Sequence, residues 1–225
     1  MSFEFKMQLP PRPKLDQETV DKLDLLIFEV MQSGEGMNPF VLECFKDPDL
    51  YGALPESIKS DREALKQLMM NMAKFNSLIH VERKKRWSGD QSGLLAEEIT
   101  LDETQHADGR KRRSEAGYRI HVEYLRSQGI DPKKVLFFRT TQPSDTPKPE
   151  YYWTSDYFET RRGLSQEIPT EQRRQSITLV ADLETIAQNG GLITDINDDS
   201  GLAVRQIGTG PFDQSLVLAT IKAKG

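Results

Sequence analysis

The sequence predicts an α+β protein: a helical N-terminal half packed on a small mixed or antiparallel β-sheet. Three observations carry this reading. Apolar residues recur at helical spacing through residues 16–130, and short runs rich in β-branched and aromatic residues fill residues 131–225. No internal repeat crosses the change. Residues 1–15 (MSFEFKMQLPPRPKL) carry Pro10, Pro11 and Pro13 and are expected to form an extended arm, either a simple leader or a polyproline ligand.

From Asp16 the residues Val20, Leu23, Ile27 and Val30 fall at i, i+3, i+7 and i+10, with Leu26 and Met31 beside them. That spacing predicts an amphipathic helix ended by Gly34 and Gly36. A shorter helix is expected from Pro39 to Phe45, stopping before Pro48. Ser60-Asp61-Arg62-Glu63 has the form of a capping box, with Ser60 as the cap. The stripe after it, Leu65, Leu68, Met69, Met72, Phe75 and Ile79, reads as core, with a methionine-rich docking groove as the other possibility. Residues 84–113 read as loose chain with two basic runs, Lys84-Lys85-Arg86 and Arg110-Lys111-Arg112-Arg113. These are either solvated faces or receivers of an acidic or phosphate-bearing partner. A helix from about Ser114 should end where Gly129 supplies a left-handed cap and Ile130 the closing apolar contact.

The β half opens with Val135-Leu136-Phe137-Phe138, a strand expected to end in Arg139, with the hydroxyls of Thr140 and Thr141 after it. Further strands are predicted over Glu150–Ser155, Ser176–Leu183, Leu192–Asp195, Ala203–Ile207 and Gln214–Ile221, with a turn of helix over Glu184–Gln188.

Composition removes several classes of function. The net charge of -5 argues against general affinity for nucleic acid, and a single cysteine, Cys44, leaves neither a disulfide framework nor a cysteine zinc cage. His80, His106 and His121 lie too far apart for a short metal motif, and no HExxH occurs. No apolar run reaches the length of a membrane span, and no signal-peptide core opens the chain. A soluble protein folded in a reducing compartment is expected, and export without a cleaved signal is compatible with that.

The polar residues of the β half are Arg139, Thr140, Thr141, Thr154, Ser155, Asp156, Asp195 and Asp213. No nucleophile elbow, Walker loop or GxGxxG is present, and no histidine falls in this half to build a Ser-His-Asp triad. Arg139 has two readings: an ordinary surface arginine, or a planar fork holding phosphate or carboxylate oxygens. An arginine, strand hydroxyls and one acid together suit cleavage of a glycosidic bond beside a pyrophosphate, the carboxylate facing the oxocarbenium-like centre.

Gly129-Ile130-Asp131 leading into Val135–Thr141 resembles the arginine-bearing strand of the AvrPphF/HopF type III effectors of plant-pathogenic bacteria. Gln175–Leu179, Asp182-Leu183, Gly190-Gly191, Asp195 and Gln214–Leu218 are similar too, so the resemblance spans roughly residues 125–225. It implies a fold like the catalytic domain of mono-ADP-ribosyltransferases, with NAD as substrate and a host or target-cell protein as acceptor. It further implies a virulence effector or toxin held in the bacterial cytoplasm before export. On this resemblance Arg139 and Asp195 are the catalytic candidates. Thr140, Thr141, Trp153, Thr154, Ser155 and Asp213 are the cofactor-binding candidates, and Trp153 or Tyr157 either stacks on nicotinamide or is a core aromatic. Arg139 and Asp195 are expected on neighbouring strands facing one cleft, roughly two or three strand spacings apart. The chain departs from the family pattern in lacking a Gln/Glu-x-Glu before the last strand, where Asp213 is the nearest acid, and in beginning Met-Ser rather than with a glycine for myristoylation. The first 125 residues have no counterpart in the resemblance and read as a secretion-chaperone or target-docking region, or as a cover for the sheet. The rival reading is a binding protein on the same fold that inhibits a partner by contact.

Overall fold

A computed structural model describes residues 14–34, 39–89, 122–141, 150–158, 160, 176–188, 191–194, 203–207 and 217–222. It is an α+β structure in which the helices and an antiparallel sheet share one apolar core.

Helix α1 spans Gln17–Gln32. Asp16 caps it by accepting from the Thr19 amide at 2.7 Å, and Leu23, Leu26, Ile27 and Val30 bury the predicted stripe. Helix α2 covers Phe40–Glu43 and runs into a 3₁₀ turn over Cys44–Lys46. Helix α3 follows over Pro48–Ala53 and α4 over Glu56–Lys59.

The long helix α5 spans Arg62–Trp87. Its cap is not the predicted serine. Asp61 Oδ1 accepts from the amides of Glu63 and Ala64, while the Ser60 hydroxyl donates back to the Glu56 carbonyl. Ser60 is occupied in closing α4, so the helix begins one residue later on the next good capping side chain. The reading of Lys84–Arg86 as loose chain is also corrected: these residues belong to the last turn of α5, where Lys84 and Lys85 complement the helix dipole. The second basic run, residues 110–113, and the predicted helix start near Ser114 lie outside the described residues.

The chain re-enters at α6, Glu123–Ser127. Gly129 adopts φ 69°, and the Ile130 amide donates to the Leu125 carbonyl at 2.9 Å, so the predicted left-handed cap is present and Ile130 is buried behind it.

Strand β1 runs Leu136–Thr141, β2 Glu150–Thr154 and β3 Ile177–Asp182. Helix α7, Leu183–Gln188, follows β3 directly. Strands β4, Gly191–Thr194, β5, Ala203–Ile207, and β6, Ala219–Lys222, complete a sheet of order β4-β5-β2-β1-β3-β6. Every pairing described is antiparallel. The last strand is shorter than expected: Val217 and Leu218 precede it, and residues 214–216 lie outside the described residues.

Strand β1 sits in the middle of the sheet, and its two faces meet different partners. Phe137 packs edge-on against Phe75 of α5 with ring centroids 5.5 Å apart. Its neighbour Phe138 turns the other way, to Tyr157 at 5.2 Å, as the two-residue period of a strand requires. One apolar core therefore joins both halves of the chain, from Leu23 and Leu68 to Val180 and Ile221.

Candidate functional site

Arg139 does not end its strand. β1 continues through Thr141, because all six of its residues find partners on β3, Arg139 opposite Leu179. The first three residues of the strand are buried, and Arg139, Thr140 and Thr141 are half-buried. Arg139 thus lies where the central strand passes from full to partial burial.

The strand's pleat separates the candidates. Arg139 and Thr141 share the face of Phe137, towards α5, whereas Thr140 shares the face of Phe138. The Thr140 hydroxyl meets the buried Thr178 hydroxyl across the strand pair at 2.9 Å and also donates to the Thr160 carbonyl at 3.4 Å. β2 joins β1 at Phe138 opposite Thr154, so Thr154 is on the Thr140 side, and Trp153, one residue back, is on the Arg139 side. The Thr154 hydroxyl accepts from the Asp156 amide and shapes the turn that follows β2. Ser155, in that turn, is buried. Trp153 is 1% and Tyr157 2% exposed, so both rings are spent on the core and present no open face for stacking.

Asp195 and Asp213 lie outside the described residues. The strand that leads to Asp195 is β4, and β5 and β2 stand between it and β1. The expectation of neighbouring strands is therefore corrected, although the three strand spacings between β4 and β1, about 14 Å, lie within the expected two or three. The reason is order, since β2, which follows β1 in sequence, pairs with β5, which follows β4.

On the Phe138 side a second polar group appears that sequence reasoning did not assemble. Asp47, the cap of α3, accepts from the amides of Asp49 and Leu50 and also from the Tyr157 hydroxyl at 2.9 Å. Its local signal was legible, since Asp47-Pro48 is a cap followed by a first-turn proline. Its partner 110 residues away was not. Cys44 lies close by, its thiol donating to the Val41 carbonyl. Burial pushes that thiol far above its ordinary range, and the Asp156 and Asp47 carboxylates push it further, so Cys44 stays protonated and inert.

Comparison with protein-family models, curated proteins and solved structures finds no match. The effector resemblance accordingly rests on the short motifs of residues 125–225. Among the described residues no cluster of His, Cys, Asp and Glu is placed to hold a metal ion. None of their helices is long and apolar enough to cross a membrane.

Proposed function

We propose that the chain is an ADP-ribosyltransferase-like effector or toxin that holds NAD at the Arg139 side of β1 and passes ADP-ribose to a protein of a host or target cell. The observation that carries this reading is the position of Arg139: a half-buried residue midway along the central strand, where full burial gives way to partial burial. There its fork engages two oxygens of the NAD pyrophosphate, with the Thr141 hydroxyl on the same face. In the transfer the bond between nicotinamide nitrogen and ribose C1′ breaks, its electron pair leaving with nicotinamide. A nucleophilic atom of the target protein then bonds to C1′ and loses its proton. Asp195 supplies the negative charge that stabilises the cationic ribose.

The contact-inhibitor reading has its own support. Thr140 and Thr154 are engaged on the face away from Arg139, so the hydroxyls assigned to one pocket do not converge with the guanidinium. Thermal unfolding with and without NAD decides between the two. A ligand held by the folded state alone raises the melting temperature with its concentration. A melting curve unmoved by NAD, together with no release of nicotinamide in a target-cell lysate, overturns the enzymatic reading and leaves the contact inhibitor.

A further inference from the structure

Helix α1 is apolar on both sides. One side is core. On the other, Leu25 is 53% and Phe28 60% exposed, three residues apart and so on one face. A third exposed apolar side chain, Phe40 at 77%, begins α2. Lys46 ties the two helices together by bonding Asp24 of α1 at 2.7 Å and Glu43 of α2 at 2.9 Å. Phe28 is four residues beyond Asp24 and Phe40 three residues before Glu43, so each stands about one helical turn, roughly 4.5–6 Å of rise, from a carboxylate of that bridge. Single exposed apolar residues are ordinary, but Leu25 and Phe28 adjoin on one face of α1, and Phe40 is on the helix that Lys46 ties to it.

The same stripe continues towards the start of α1 through Asp24, Asp21 and Glu18, all exposed. Asp24 is neutralised by Lys46, while Asp21 meets the uncharged Gln17 side chain. The surface is thus apolar at one end and anionic at the other. We propose that it docks an amphipathic segment of a partner protein, with large apolar side chains to cover Leu25, Phe28 and Phe40 and Lys or Arg residues to meet Asp21 and Glu18. The charge decides against other occupants. Anionic lipid and nucleic acid are repelled by the acidic end. A second copy of the chain brings the same acids without a complementary base from α1, whose Lys22 is turned to the Lys59 carbonyl. The inference is independent of NAD and of Arg139, which lies on the central strand rather than on α1.

The test uses the full chain and a labelled synthetic helical peptide with leucines along one face and lysines at one end, beside a matched peptide with glutamates in place of the lysines. The lysine peptide binds, and the glutamate peptide binds at least about ten-fold more weakly. Phe28→Ser, on an exposed site, weakens the lysine peptide by about ten-fold or more, as for an anchor at the centre of an interface. Asp21→Asn weakens it several-fold and flattens its salt dependence, and Val81→Ser, on the exposed side of α5, changes nothing. Equal binding of the two peptides, or binding indifferent to Phe28→Ser, overturns the proposal. Sedimentation of the wild type as a dimer that Phe28→Ser dissociates overturns it too, by assigning the surface to a second copy.

Discussion

The Tyr157 hydroxyl donates to Asp47 Oδ1 at 2.9 Å, and this bond joins the turn after β2 to the cap of α3. Tyr157 is buried, and its ring also packs edge-on against Phe138 of the central strand. A hydrogen bond to a carboxylate is worth more than a neutral one. Tyr157→Phe keeps the ring and removes the donor, so it should destabilise the fold by about 1.5–3 kcal/mol. Urea unfolding with an unchanged slope measures this, and a midpoint equal to wild type means that the bond contributes nothing.

The start of α5 gives a comparison between neighbouring residues. Asp61→Ala removes the acceptor of two helix amides and should lose about 1 kcal/mol, whereas Ser60→Ala removes only a bond back to the Glu56 carbonyl and should lose less than half of that. Chemical denaturation of the two variants side by side checks the order. The opposite order would restore the serine as the cap.

Glu29 of α1 meets both Lys66 and Arg62 of α5. The Lys66 hydrogen bond holds its carboxyl below the ordinary carboxylate value; burial opposes this, and Arg62 adds to the lowering. Because the folded state lowers this pKa, the link stabilises above the unfolded value of about 4.3 and is lost as pH falls below it. The stability difference between wild type and Glu29→Gln should therefore narrow as pH drops from about 5 to about 3. Denaturant melts across that range measure it, and a constant gap shows that the ion pairs do not link α1 to α5.

The NAD reading predicts unlike effects at its two principal residues. Arg139→Lys keeps the charge but loses the planar two-pronged contact, so NAD binding and turnover should both fall steeply while the fold persists. Asp195→Asn should leave binding largely intact and depress turnover, since its charge matters most when the ribose becomes cationic. Nicotinamide release and NAD titration separate the two effects. Equal loss of affinity in both variants would make Asp195 a binding residue only.

Residue spacing alone determined α1, the body of α5 and the cap at Gly129. Leu23 to Val30 and Leu65 to Ile79 are core because a 3.6-residue period puts them on one face wherever the helix docks, and Gly129 takes φ 69° because it alone there lacks a Cβ. The positions of most strands were legible for the same reason, through alternation and β-branched runs. The opposition of Arg139 and Thr140 was implicit in the two-residue period of β1.

Contacts made far along the chain were not legible. Whether α5 starts on Ser60 or Asp61 depends on Ser60 being drawn to Glu56, and β1 extends past Arg139 because β3 supplies partners as far as Thr141. Strand order placed β5 and β2 between Arg139 and the strand leading to Asp195, and the fold brought Tyr157 to Asp47 across 110 residues. Pairing and packing over such separations are settled by the total free energy of the assembled core, which no local window of residues contains.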